Sequence, residues 1–135
     1  METKVYLSGG MNEENWQANL ISNVGKNGFA FFNPREHKLE HSREYTIWDL
    51  YYVKNCDFVF AYMEQNNPSG YGLTLEIGYA SAIGKPIILV DEKSIHDANF
   101  KKYFKIVRES SSIVFDNLED GIKFLKNIRN GIVTM

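Results

Sequence analysis

Residues 57–90 read DFVFAYMEQNNPSGYGLTLEIGYASAIGKPIILV. A β-rich run at Asp57–Tyr62 is followed by a turn-rich connection, a segment of helical period at about Leu73–Ile83, and a run at Pro86–Val90 that is purely apolar after its proline. A strand that is apolar along its whole length is typical of a parallel sheet covered on both faces. The stretch therefore predicts two parallel strands joined by a crossover helix.

The same alternation of strands and helices continues on both sides of this unit. Further strands are predicted at Lys4–Ser8, Phe29–Phe32 and Ser112–Phe115, and further helices after Asn12, over Glu44–Lys54, near Phe100–Phe104 and after Asn117 with Asp120. This order predicts an α/β fold, a flavodoxin-like doubly wound five-stranded parallel sheet with helices on both faces. Such sheets bind ligands at the carboxyl ends of their strands, near the point where the strand order reverses.

Two connections between these elements carry specific expectations. Asn12 is expected to cap the first helix, with Glu13 and Glu14 in its first turn, and Gly25 or Gly28 is expected to end it. The polar segment Arg35–Arg43 is predicted to be a long loop, a kind of segment that often covers a binding site.

Length and composition describe one soluble domain. The chain has 135 residues, of which 44% are apolar and 24% charged, so residues 1–135 are expected to form a single domain with one core. The formal net charge is -2, and Lys and Arg form no block. We therefore expect neither nucleic acid nor an anionic membrane as a partner.

The cysteine and histidine residues indicate which disulfides and metal sites the chain could form. Cys56 is the one cysteine, so no intrachain disulfide is expected, and the three histidines lack metal-ligand spacing. Neither a metal nor another cofactor is predicted. The first residues lack the pattern of a signal peptide and no run is long enough to span a membrane, so a cytoplasmic location is expected.

The most informative residue is Glu76. The fifteen residues from Gly70 to Gly84 contain one charged side chain, and it belongs to Glu76. A helix of this composition is expected to be largely buried, so its carboxylate is either satisfied internally, for example by backbone donors, or aimed into a pocket. Gly70 and Gly72 favour the pocket, because glycines allow a ligand to approach the backbone closely.

Four segments in this order resemble the nucleoside 2-deoxyribosyltransferase family, which includes the related 2'-deoxynucleoside 5'-monophosphate N-hydrolases. They are Tyr6 in VYLSGG, Asp49 in WDL, Asp57 in CDFVFAY, and Glu76 in GLTLEIGYASAIGKP. The resemblance covers roughly residues 5–99 and is carried by the combination, since each segment alone is common.

The resemblance implies catalysis by double displacement. Glu76 would attack C1 of deoxyribose, the nucleobase would leave, and a second base would attack the glycosyl-enzyme from the same face. Asp49 would exchange a proton with the base, and Tyr6 would hydrogen-bond the nucleophile. From the residues alone, Asp49 could instead be an exposed acid and Tyr6 an ordinary strand residue, while Asp57 is expected to be structural.

The resemblance also implies a set of substrate contacts and a homo-oligomer. The contacts are Ser8, Gly9, Gly10, Ser69, Gly70, Gly72 and Asn99, the last of them presented to a neighbouring subunit. The transferases carry a carboxylate for the sugar 5-hydroxyl where this chain has Ser69-Gly70. The serines and the first glycine loop would also suit a phosphate, as in the N-hydrolases.

Three functions therefore remain open at this stage. The first is a transferase acting on nucleosides and a free nucleobase, the second a hydrolase of deoxynucleoside monophosphates, and the third a nucleotide-sensing module without catalysis. The aromatic residues Trp48, Tyr51 and Tyr52 of the second helix could belong to the core, to a base-stacking surface or to a subunit interface.

Overall fold

The computed structural model describes residues 2–129, which form a five-stranded parallel sheet flanked by helices. The strands are β1 Thr3–Gly9, β2 Phe29–Phe32, β3 Phe58–Met63, β4 Ile87–Asp91 and β5 Ile113–Phe115. The helices are α1 Trp16–Val24, α2 Ser42–Asn55, α3 Tyr71–Ala82, α4 Lys93–His96, α5 Ala98–Glu109 and α6 Leu118–Arg129. A short 3-10 turn, Pro34–Glu36, follows β2.

The strand order confirms the predicted flavodoxin-like topology. The sheet runs β2-β1-β3-β4-β5, so the strand order reverses between β1 and β3 while all strands stay parallel. These two strands are in register with Ser8 opposite Ala61 and Gly9 opposite Tyr62. Their carboxyl ends therefore lie side by side at the switch point, where ligands of this fold bind.

Alternation along the strands divides the core into two layers, as the prediction of helices on both faces requires. Val5 and Leu7 of β1 pack in a cluster with side chains of α1 and α6. Tyr6, between them, points to the other face and packs in a cluster with side chains of α2, α3 and α5. Every residue of β4 is buried, which explains why that strand is apolar up to its last residue.

The first helix begins later than the sequence suggested. Asn15, not Asn12, is its N-cap, and the Asn15 side chain accepts the Ala18 N–H at 3.0 Å. The expected cap is displaced because the Arg35 guanidinium binds the Asn12 carbonyl at 2.7 Å and holds residues 12–14 outside the helix. The end was predicted correctly, since the Gly25 N–H binds the Ile21 carbonyl.

Two other boundaries also differ from expectation. The segment after β2 is a shorter loop than predicted, because Asn33 caps the 3-10 turn and α2 begins at Ser42. The helix expected near residues 100–104 extends over all of α5, capped by the Asp97 side chain on the Phe100 N–H at 2.9 Å. No helix within residues 2–129 combines the length and apolarity needed to cross a membrane.

Gly121 allows α6 to approach the sheet closely. A Cβ on Gly121 would lie 2.5 Å from Val90 Cγ2 and 3.1 Å from Phe60 Cζ. We predict that Gly121→Ala lowers the free energy of unfolding by about 1–3 kcal/mol through overpacking. Urea unfolding monitored by circular dichroism measures this difference.

Gly78→Ala is the matched control for that measurement. Gly78 lies within α3, and a Cβ there would meet no atom within 4 Å. Alanine is the better helix former, so this variant is expected to gain about 0.5–1 kcal/mol. Equal stabilities of the two variants would contradict the described contact of α6 with the sheet.

Candidate active site

The site is built around Glu76, whose side chain extends from α3 towards the carboxyl half of β1. The Tyr6 hydroxyl donates to Glu76 Oε2 at 2.9 Å, and the Ser8 hydroxyl donates to Oε1 at 2.6 Å. Tyr6 and Ser8 lie on the same face of β1 because they are two residues apart on one strand. Side-chain hydroxyls therefore satisfy the carboxylate, and no salt bridge joins Glu76 to a cation within residues 2–129.

Burial controls the charge of Glu76. The residue is 9% exposed, and its removal from water raises the pKa of the carboxyl from an ordinary 4.5 to about 7. The hydrogen bond from Ser8 lowers that pKa, the nearby charge of Asp49 raises it, and the bond from Tyr6 lowers it. Near neutral pH, Glu76 is therefore present in both its protonated and its ionised form.

Asp49 provides a second carboxyl group beside the first. It lies on α2 with its side chain 20% exposed, so it is not the exposed acid that its helix position allowed. Its Oδ1 lies 3.5 Å from His37 Nε2 and has no hydrogen-bond partner among the described residues. Burial raises the pKa of Asp49, while the neighbouring His37 lowers it.

Tyr6 interacts with both Glu76 and Asp49. Its side chain is fully buried, and burial together with the charges of Glu76 and Asp49 raises the pKa of its hydroxyl far above the ordinary value. The hydroxyl therefore stays protonated and acts as a donor at any physiological pH. Tyr6, Glu76 and Asp49, which were predicted from three separate segments, are thus brought together in the folded chain.

The glycine loop after β1 lies flat against the ends of the strands. A Cβ on Gly9 would lie 2.7 Å from the Tyr62 carbonyl oxygen, and a Cβ on Gly10 would lie 2.8 Å from Glu64 Oε1. Side chains do not fit at these positions without displacement of their neighbours. The absence of side chains at Gly9 and Gly10 therefore lets this loop pack directly against the end of β3.

The loop before α3 contains three residues that were predicted to contact substrate, and their surroundings differ from one another. Gly70, the N-cap of α3, has φ 71°, and a Cβ there would clash with Met63. The Asn67 side chain accepts the N–H groups of Ser69 and Gly70 and shapes the turn. Ser69 is exposed, and a Cβ on Gly72 would meet nothing within 4 Å, so packing does not require glycine there.

Asn99 and Asp57 lie outside this cluster. Asn99 is exposed in the first turn of α5, and no hydrogen bond in the described part of the chain links it to Glu76 or Asp49. Asp57 accepts the Lys4 N–H at 2.7 Å at the amino end of β3, which supports its expected structural role. The predicted contribution of Asn99 to a neighbouring subunit stays a prediction.

The aromatic residues of α2 separate into two groups. Trp48 and Tyr52 pack against the core, with their ring centroids 4.2 Å apart. The ring centroid of Tyr52 also lies 4.4 Å from that of Phe32. Tyr51 is 57% exposed. Trp48 and Tyr52 are therefore core residues next to the site, and Tyr51 is available to a partner.

Sequence reasoning missed two residues of the site, Glu64 and His37. Glu64 follows β3, is 5% exposed and has an Oε1 without a hydrogen-bond partner among residues 2–129. Burial and the charge of Glu14 raise the pKa of this carboxyl. An acid directly after an apolar strand was a usable signal for Glu64, whereas His37 gave none because it lies in a polar segment.

Comparisons with known proteins give a consistent result. The model of a family described as nucleoside 2-deoxyribosyltransferase like matches residues 2–94. No curated protein matches the chain.

Several solved structures match the chain, and two of them illustrate the shared fold. A CMP N-glycosidase, BcmB, of Clostridium botulinum is 22% identical with a TM-score of 0.66, over 93% of this chain and 99% of that one. A 2-deoxyribosyltransferase of Leishmania mexicana is 15% identical with a TM-score of 0.69, over 93% of this chain and 97% of that one.

The raised pKa of Glu76 has a consequence for stability. Because the folded protein binds this proton more tightly than the unfolded chain, the contribution of Glu76 is most favourable below pH 4.5 and is lost as the pH rises through about 7. We predict that Glu76→Gln is more stable than the wild type at pH 8, by up to about 3 kcal/mol. Urea unfolding of both proteins at pH 5 and pH 8 measures the effect.

The advantage of Glu76→Gln should nearly vanish at pH 5, because both proteins are then largely uncharged at this position. The comparison at each pH cancels the titration of all other groups. A variant less stable than the wild type at pH 8 would mean that the carboxylate is well solvated or paired.

Proposed function

The chain belongs to the nucleoside 2-deoxyribosyltransferase-like family, and on that premise we propose that it cleaves the N-glycosidic bond of 2'-deoxynucleosides and transfers deoxyribose to another nucleobase. The observation that carries the proposal is the contact of Glu76 with the hydroxyls of Tyr6 and Ser8 at the switch point of the sheet. A carboxylate held in one rotamer beside the ligand edge is suited to attack a sugar carbon.

In the proposed reaction, one oxygen of the Glu76 carboxylate forms a bond to C1 of deoxyribose as the C1–N bond breaks. The electron pair of that bond goes to the departing base, whose ring nitrogen takes up a proton. An acceptor base then attacks C1 from the face that the first base left, and Glu76 is released. Two displacements at one carbon retain its configuration.

Asp49 is the proposed partner of the base. Its pKa is raised by burial, so its carboxyl group holds a proton at higher pH than an ordinary aspartate and can give it to the leaving base. The resulting carboxylate can take a proton back from the incoming base. Nucleophile and proton donor are thus two carboxyl groups whose surroundings differ, as their two tasks require.

Two contacts favour a nucleoside over a nucleoside monophosphate. The Ser8 hydroxyl is engaged by Glu76 at 2.6 Å, so it is not free to bind a phosphate. Glu64 lies against Gly10, where a phosphate bound to the first loop would meet a second acidic group. An uncharged sugar hydroxyl at this loop avoids that repulsion.

Hydrolysis of monophosphates is the second candidate. The shared fold of the CMP N-glycosidase and the exposed Ser69 beside the α3 amino terminus are the features that support it. The third hypothesis, a nucleotide sensor without catalysis, does not explain why two hydroxyl groups bind the buried carboxyl group of Glu76.

The deciding experiment incubates the protein with deoxynucleosides or their 5'-monophosphates, with and without a free acceptor base, and separates the products by chromatography. We expect exchange of the base on nucleosides when an acceptor is present. Free base released from monophosphates without an acceptor would favour the hydrolase, and no product in any arm would favour the sensor.

Substitution of the two acids tests the mechanism. Glu76→Ala and Glu76→Gln are expected to lower kcat by about 10³-fold or more, and Asp49→Asn to slow base release while KM changes little. Product formation under saturating substrate measures both effects. Glu119→Gln, on the exposed side of α6, is the control and should behave as the wild type.

The glycosyl-enzyme is tested by mass spectrometry of wild type mixed with donor but without acceptor. The expected adduct of one deoxyribose disappears in Glu76→Gln. Appreciable turnover by either Glu76 variant would rule out this residue as the nucleophile.

We also propose that the chain forms a homo-oligomer through the outer face of α2, α3 and α5. Large apolar side chains are exposed on these neighbouring helices, namely Ile47, Tyr51, Tyr71, Leu75, Tyr103 and Ile106. Burial of such a face by a second copy would remove it from water. Asn99 lies on α5, in the same part of the surface, as a contribution to a partner's site would require.

A charge placed in that face should weaken the assembly. Ile106 is 74% exposed, and we predict that Ile106→Lys lowers the molar mass measured by sedimentation towards that of one chain. Asn127→Lys, an exposed position of α6 on the other face of the sheet, is the control. A monomeric wild type, or two variants of unchanged mass, would refute this interface.

A further inference from the structure

We propose that His37 is a positioning residue, which orients the Asp49 carboxyl group and stabilises its ionised form during proton exchange with the nucleobase. The inference rests on the proposed function of Asp49, and neither the family match nor the fold assigns a role to His37.

The imidazole of His37 is held in a defined orientation. Its side chain is 9% exposed, and its Nδ1 accepts the Leu39 N–H at 2.9 Å. The ring also lies edge-on to Trp48, with the ring centroids 4.7 Å apart. Since Trp48 directly precedes Asp49 in α2, the helix that carries Asp49 also helps to fix the ring.

The hydrogen bond from the Leu39 N–H determines which ring nitrogen carries the proton that faces Asp49. Because Nδ1 acts as an acceptor, the neutral ring carries its proton on Nε2. Nε2 is also the atom that lies 3.5 Å from Asp49 Oδ1. That separation is longer than a hydrogen bond, so a small movement of either side chain would complete the contact.

Asp49 lacks other partners for this oxygen. In the described chain Oδ1 is buried without a hydrogen bond, and the groups that act on Asp49 are His37 after β2 and Tyr6 of β1. Glu76 of α3 adds a like charge, because Asp49 and Glu76 interact. The Tyr6 hydroxyl already donates to Glu76, so His37 is the group that can bring a further N–H donor to the Asp49 carboxylate.

The proton transfers between Asp49 and the nucleobase define the proposed role of His37. When the first base leaves, the O–H bond of Asp49 breaks and an N–H bond forms on the base, which leaves a carboxylate in a half-buried position. The His37 Nε2–H then donates to that carboxylate without giving up its proton. When the acceptor base attacks, the proton returns to Asp49 and the contact weakens again.

The test compares His37→Phe with His37→Gln. His37→Phe removes the donor, and we expect kcat to fall about tenfold or more, the usual effect of losing one hydrogen bond to a charged group. KM should stay nearly unchanged, because the proposed role of His37 is exerted through Asp49. His37→Gln retains an N–H donor and should recover part of kcat.

The pH profile and a double variant separate this role from a merely structural one. Because His37 lowers the pKa of Asp49, the limb of the kcat profile that reports Asp49 should move to higher pH in His37→Phe. In an Asp49→Asn background, His37→Phe should cost nothing further. His41→Gln, at an exposed histidine nearby, is the control with unchanged kinetics.

A second measurement does not depend on turnover. The Asp49 carboxyl is titrated by NMR in wild type and in His37→Phe, and its pKa should rise in the variant. An unshifted titration, an unshifted kcat profile, or an equal loss of kcat in the Asp49→Asn background would overturn the assignment of His37. Absence of base exchange by the wild type would refute the proposed function instead, while the titration would still decide whether His37 acts on Asp49.

Discussion

The two hydrogen bonds from Tyr6 and Ser8 to Glu76 are the contacts on which the site depends. A carboxyl group on a buried helix loses its hydration, and hydroxyl donors from the adjacent strand replace part of it. The strand can supply two donors because residues two apart point to the same face. Without them, the only charged residue of this helix would be a destabilised group in an apolar layer.

The two hydrogen bonds compensate only in part for the burial of Glu76. Burial outweighs the two hydrogen bonds, so the pKa of Glu76 stays near 7 and its carboxylate is a stronger base than a solvated one. The same shift in pKa means that ionised Glu76 opposes folding more than protonated Glu76 does. In the proposed reaction, Glu76 would exchange stability for reactivity, as buried functional acids often do.

The surroundings of the second acid follow a different principle. Asp49 is half-buried on a helix that faces the same edge, and its neighbour is a histidine and not a pair of hydroxyls. Glu64 forms a third acidic position, under Gly10 at the end of the next strand. Three carboxyl groups close to one switch point would repel a phosphate, which is why we propose an uncharged nucleoside as the substrate.

Local sequence signals were enough to predict the class of fold, all five strands and the end of α1, and the resemblance to the family predicted Tyr6, Asp49 and Glu76. Period, apolar runs and glycines are local signals, and the family segments lie in the chain in order. Three features could not be predicted in this way: Asn15 caps α1, Glu64 lies under the first loop, and His37 faces Asp49. Each of these depends on a contact between residues distant in sequence, such as the hold of Arg35 on the Asn12 carbonyl, and long-range contacts leave no periodic trace along the chain.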